Sequence, residues 1–277
     1  MRYVGKSYPI HDAQQKASGR AVYAGDMELK GMLYGAVLFS TIPHGIVKKL
    51  DCEEALAYPG VVDIAHCFNT TQKEYNRYQS QFGQDLIYTE RVFNSHVRFV
   101  GDRIACVIAE TEEAAREAVK KIHVEYEELP YSLTPEDTLK GVIDNVHPAG
   151  AVFEATEITH GEKPEDTNLV TVKTTTDLSR INHVCMETHV CVADYDKYKG
   201  ELTIWSPNQT VYGIRTLIGD IFEMDYSKVR VIKTTMGGSF GAKQEWVLEP
   251  VAAAAAIRVG KPVKLVYNRT ETFTHAF

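Results

Sequence analysis

Arg103-Ile104-Ala105-Cys106-Val107-Ile108-Ala109 is apolar at every position after its arginine, with a turn at Gly101-Asp102 before it and Thr111 after it. A strand without polar alternation is covered on both faces, so this run predicts a buried strand with structure packed above and below it. The residues that follow supply one cover. Thr111 is a good N-cap, Glu112 and Glu113 suit the positive end of a helix and Lys120 and Lys121 the negative end, which predicts a helix over 112–121. Its apolar face is Ala114, Ala115, Ala118, Val119 and Ile122. Ile122-His123-Val124-Glu125-Tyr126 then alternates as a half-exposed strand does, and Leu129-Pro130 closes the unit.

Upstream, Leu33 to Ser40 reads as a strand and Val61 to Ile64 as a short one. Asp51 with Glu54 resembles a capping box, predicting a short helix through Ala57 that Pro59-Gly60 ends. The polar, tyrosine-rich stretch 72–85 reads as a surface excursion. From Tyr131 to Pro164 the chain is polar and broken by Pro135, Pro148, Gly150, Gly161 and Pro164, as a connector would be. Beyond it, Val190 to Tyr195 and Glu201 to Trp205 form a hairpin around Lys199-Gly200. Val211, Ile214, Leu217, Ile218, Ile221 and Phe222 have helical spacing, Val229 to Ile232 is a strand, Val251 to Ile257 an alanine-rich helix, and Pro262 to Tyr267 a last strand. The expected organisation is residues 1–135, a linker over 136–165, and a second unit over 166–277, in an α+β chain.

Thirty Lys and Arg against 37 Asp and Glu argue against broad attraction to nucleic acid phosphates. No signal peptide or membrane-length apolar run is present, so a cytoplasmic location is expected. Five scattered cysteines read as reduced thiols. His183, Cys185, His189 and Cys191 fit alternate positions on a strand and lack the close pairing of a closed zinc site, so no metal ligand is assigned among them.

The stretch richest in chemistry is Met236-Gly237-Gly238-Ser239-Phe240-Gly241-Ala242-Lys243-Gln244-Glu245, set between a strand and a helix. Glycines reach dihedrals closed to other residues and let an anionic ligand approach main-chain N–H groups, and a helix start just beyond would add positive potential. The spacing fits neither a phosphate loop nor a dinucleotide fingerprint, and a tight turn without a ligand is equally consistent with it. Gln209, directly after the strand ending near Trp205, can aim an amide at a ligand oxygen or simply face water. Glu187 places a carboxylate in an apolar run, where a paired or exposed acid on a strand is the plain expectation.

These features occur in a familiar order. Gly5 through Asp26, Gly31 through Ser40 with His44, Ala57 through Val62, and the helix and strand running to Leu129-Pro130 resemble the hammerhead domain of the xanthine dehydrogenase and aldehyde oxidase large subunits. Met186-Glu187, Trp205, Gln209, the glycine loop, Gly260 through Lys264 and Arg269-Thr270-Glu271 resemble the beginning of that family's molybdopterin-binding domain. The resemblance implies an α/β-hammerhead domain followed by the first part of a mixed α/β molybdopterin-binding domain. It implies a molybdenum-pterin cofactor, with iron-sulfur clusters and FAD on partner subunits, and hydroxylation of purines or related N-heteroaromatics with oxygen from water. By carry-over, Gln209 would donate to a molybdenum oxo group, Gly238, Ser239, Phe240 and Gly241 would pack against the cofactor, and Gln244 would meet the substrate. Gln244 departs from relatives that place a glutamate there: it can donate and accept but brings no charge. Aldehyde or nicotinate-type hydroxylation, a ligand-binding module and an assembly subunit are the competing readings. Because family members continue beyond the point matching Phe277, this chain by itself is expected to be an inactive portion of the large subunit.

Overall fold

The structure, a computed structural model, describes residues 2–77, 88–141, 143, 146–148, 150, 158–161, 170 and 172–275. In chain order its elements are α1 (Ala13–Ala17), β1 (Leu33–Phe39), β2 (Gly45–Asp51), α2 (Glu53–Leu56), β3 (Val61–His66), β4 (His96–Val97), β5 (Arg103–Ala109), α3 (Glu112–Val119), β6 (His123–Glu128) and α4 (Pro135–Leu139). They continue with β7 (Val190–Asp196), β8 (Glu201–Ser206), α5 (Val211–Phe222), β9 (Val229–Lys233), α6 (Glu249–Val259), β10 (Val263–Val266) and α7 (Arg269–His275).

Among the described residues ten strands form two sheets: a seven-stranded sheet in the order β3-β5-β1-β10-β7-β8-β9, and a three-stranded sheet in the order β4-β2-β6. β5 is buried at every position. Its Ile104, Cys106 and Ile108 join the core under α6, while Ala105 and Val107 pack with Ala118 and Ile122 on the α3 side. The non-alternating run therefore has the two covers that its composition demands. Thr111 caps α3 by accepting from the Ala114 N–H at 3.1 Å.

The large sheet crosses the connector. β1, from the first half, pairs in parallel with β10, from the last quarter, in the register Leu33↔Val263 and Gly35↔Leu265. Gly35 makes this junction possible, because a Cβ there would lie 2.8 Å from Leu265 Cγ and 3.1 Å from Cys106 Sγ. α6 packs across β7, β8 and β10 and also across β3 and β5, its alanines Ala252 to Ala256 allowing close approach to the sheet.

Several expectations are corrected. β2, for which the sequence pattern predicts no element, carries no clean alternation, because its register shifts between Val47 and Lys49; a bulge of this kind breaks the period-two signal. Asp51 ends β2 and does not cap α2, whose N-cap is Cys52 with no side-chain bond; Asp51 Oδ1 accepts from the Glu53 N–H and Glu54 pairs with Lys121. Residues 78–85 of the expected surface excursion lie outside the described residues, but Tyr75 and Arg77 within it are buried against Arg103 and Glu245 respectively. His183 to His189 precede β7, so they do not occupy alternate strand positions with Cys191. Residues 136–139 of the expected linker lie in α4, which Thr134 caps, and most of residues 142–169 lies outside the described residues.

Candidate cofactor site at the glycine loop

β8 and β9 run parallel, and the chain leaves both at the same end of the sheet. Beyond β8 stand Pro207, Asn208 and Gln209, and beyond β9 comes the glycine loop. Hydrogen bonds lace the two segments residue by residue. Asn208 Nδ2 donates to Glu245 O at 2.8 Å, the Gln209 N–H to Lys243 O at 2.8 Å, and Thr210 Oγ1 to Gln244 O at 2.9 Å. Ser239 Oγ donates to Gln209 Oε1. Thus the structure brings Gln209, Ser239 and the Gln244 main chain together, with Gln209 and Gln244 exposed and Ser239 buried.

The loop's main chain is unusual. Gly238 has φ 107°, Phe240 φ 54° and Gly241 φ 100°. A left-handed phenylalanine is strained, and this one holds its ring 78% exposed rather than gaining burial for the strain. On the other side of the loop Val184, a β-branched residue, is also left-handed at φ 49°. Neighbouring Cys185 is buried and its thiol donates to Ser239 O at 3.2 Å. Gly237 is required by close approach: a Cβ there would lie 2.5 Å from Glu187 Cβ.

Beneath the loop sits a charge pair that sequence reasoning missed. Lys243, 2% exposed, meets Glu187 Oε2 at 2.6 Å, and the same oxygen accepts the Gly237 N–H at 2.8 Å. Glu187 is a paired acid, but on a loop rather than a strand. His189 adds a tether, Nε2 to Ala242 O at 3.0 Å, and burial, the largest influence, pushes its imidazole down to about 4. His183, Cys185, His189 and Cys191 are thus apportioned among a loop flank, two loop tethers and β7.

The expected contribution of a following helix N-terminus is corrected. α6 starts only at Glu249, whose own buried carboxylate accepts from Ser206 Oγ at 2.5 Å; burial raises the pKa of that carboxyl. The Lys243 ammonium is likewise engaged by Glu187. Attraction for an anion at the rim therefore has to come from main-chain N–H groups and the carboxamides, a neutral and directional donor set that fits an extended, oxygen-rich pterin group. The bare backbone at Gly237, Gly238 and Gly241 leaves room for close approach.

A strand-end carboxamide hydrogen-bonded to a left-handed glycine loop, on a mixed seven-stranded sheet accompanied by a small antiparallel sheet, sets the candidate site in an α/β architecture. Residues 18–130 match the aldehyde oxidase and xanthine dehydrogenase a/b hammerhead domain, and residues 146–276 the molybdopterin cofactor-binding domain. The chain belongs to the xanthine dehydrogenase and aldehyde oxidase family. It is 34% identical over 268 residues to a probable xanthine dehydrogenase subunit of Bacillus subtilis (strain 168), covering 94% of this chain and 34% of that one. It is 30% identical over 276 residues to the nicotinate dehydrogenase large molybdopterin subunit of Eubacterium barkeri, covering 98% of this chain and 63% of that one. The aldehyde oxidoreductase of Desulfovibrio desulfuricans shares the fold, with a TM-score of 0.83 at 21% identity over 98% of this chain and 31% of its own. The chain spans about a third of the length of the first curated relatives it matches.

Proposed function

We propose that this chain is the N-terminal portion of the molybdenum-binding subunit of a molybdenum hydroxylase, with a hammerhead unit over residues 1–135, a linker over 136–165 and the first part of the molybdopterin-binding unit over 166–277. The observation that carries the reading is the contact between Gln209 and Ser239, which sets an exposed carboxamide beside a partly exposed glycine loop. When bound, the molybdenum-pterin group supplies the redox centre for hydroxylating an electron-poor carbon with oxygen from water. The residues of this chain bind and orient it. Gly238, Ser239, Phe240 and Gly241 would form the surface that holds it, and the Gln209 amide would supply a hydrogen-bond donor toward it. Gln244 stands at the rim where substrate would enter. Iron-sulfur and FAD subunits would take the electrons onward.

Purines or related N-heteroaromatics are the proposed substrates, in keeping with the xanthine dehydrogenase relative. A second reading, an anionic ring such as nicotinate, is favoured by the neutral, exposed Gln244, which does not repel a carboxylate. The experiment is Gln209→Ala in the complete enzyme, assayed by substrate-dependent dye reduction with molybdenum and pterin content measured in parallel. Loss of one preorganised donor costs about 2.7 to 4 kcal/mol in a protease precedent, so turnover should fall about a hundredfold or more with the cofactor retained. Unchanged turnover would remove Gln209 from the mechanism. The 277-residue chain alone should reduce no dye with xanthine.

A further inference from the structure

Three hydrogen bonds close a ring between the strand end and the glycine loop. The Gln209 N–H donates to Lys243 O at 2.8 Å, the Lys243 N–H to Ser239 Oγ at 3.3 Å, and Ser239 Oγ to Gln209 Oε1. The ring has a direction. The Lys243 N–H supplies a hydrogen to the serine oxygen, and the serine hydroxyl gives its own hydrogen to the carboxamide oxygen of Gln209. A carboxamide has one accepting end and one donating end. With Oε1 held by the buried serine, Nε2 is the end of the exposed Gln209 side chain left to face outward.

The opposite orientation would change the chemistry of the site. An outward Oε1 repels an anionic or oxo-type oxygen, whereas an outward Nε2 offers it two hydrogens. From this ring we infer that Ser239 is a positioning residue that holds the Gln209 carboxamide donor-outward, so that the site selects an acceptor oxygen over a cation or an N–H group. The identity of that oxygen rests on the molybdenum-pterin reading above; the ring itself is a property of this chain. Two anchors brace the same unit from beneath, the Lys243–Glu187 pair at 2.6 Å and the Cys185 thiol on Ser239 O at 3.2 Å, so loss of the serine hydroxyl should free the carboxamide without freeing the loop.

The test combines side-chain nitrogen relaxation of Gln209 in the isotope-labelled 277-residue chain with kinetics and molybdenum content of the complete enzyme. Ser239→Ala removes the hydroxyl and adds no volume. Its expected effect is a fall of the Nε2 order parameter from the rigid range, about 0.85, to below about 0.6, with the main-chain values of β7 and β8 unmoved. In the complete enzyme kcat should fall about tenfold, KM should stay within about twofold, and molybdenum and pterin content should match the parent. Ser239→Thr, which keeps the hydroxyl, should restore the rigid amide. An Nε2 as rigid in Ser239→Ala as in the parent overturns the inference whatever the kinetics show. A complete chain that retains no molybdenum overturns instead the reading of the preceding subsection, and the relaxation measurement then decides the ring on its own.

Discussion

Lys243 and Glu187 illustrate what a single buried charge does to this fold. Each is largely withdrawn from water, at 2% and 14% exposure, and each is tolerable because the other is 2.6 Å away. Replacing one alone leaves the partner as an uncompensated charge under the loop, which costs about 3 to 5 kcal/mol. Lys243→Met should therefore lower the urea midpoint sharply, and adding Glu187→Gln should recover most of the loss, since the neutral pair strands no charge. If the double variant is as unstable as the single one, the cost lies in packing and the electrostatic account fails. At this scale the sequence was legible where a residue type itself signals the chemistry: glycines at left-handed positions, and a carboxamide at a strand end. It was not legible where meaning depends on a distant partner. Glu187 and Lys243 are 56 residues apart, and nothing in either segment announces the other.

At the scale of elements, the glycine loop is tied to the sheet by His189, one residue before β7, whose ring reaches Ala242 O at 3.0 Å while its own carbonyl accepts the Tyr267 N–H after β10. Burial holds this imidazole down to about 4 from the ordinary 6.5. Between those values the unfolded chain binds a proton that the folded chain refuses. Stability therefore falls on acidification through that window, by about 1.4 kcal/mol per pH unit and about 3 kcal/mol in all, and is unaffected by this group above it. Urea titrations across the window should show the slope, and His189→Gln should flatten it by one proton's worth. A slope unchanged in that variant would assign the effect to His96, also pushed down to about 4, or to His275, held well below its usual value. The unbroken apolar runs of β5 and α6 and the helical spacing of apolar residues in α3 and α5 could be read from sequence, because each is a local pattern imposed by burial. β2 could not, since its bulge scrambles the alternation, and α2 could not be bounded, because a strand already uses the residue that looks like its cap.

For the whole molecule, the consequence that matters is the continuity of the large sheet across the connector. β1 is hydrogen-bonded on one side to β5 and on the other to β10, and α6 covers strands from both halves. The join is polar as well as apolar. Arg103, fully buried in β5, donates to Val247 O at 2.6 Å and to Tyr75 Oη at 2.7 Å while pairing with Glu90, and Arg77 reaches Glu245 at 3.4 Å. Burial pushes the Tyr75 hydroxyl up to about 12, so it remains a neutral partner at physiological pH. Separating the halves would leave the main-chain N–H and C=O groups along one edge of β1 unpaired, open the apolar face under α6 and strip these buried arginines of partners from the second half. Cutting the covalent chain at an exposed connector residue does none of that. A chain broken between His160 and Gly161, made as two co-expressed pieces, should therefore co-purify at equal stoichiometry and unfold in one transition, whereas each piece expressed alone should lack cooperative unfolding. Size-exclusion chromatography and thermal unfolding followed by circular dichroism would decide the matter, with emission from Trp205 and Trp246 reporting the second piece. Two pieces that elute apart, each with its own sharp transition, would mean that the shared sheet contributes little and that the halves fold as independent units.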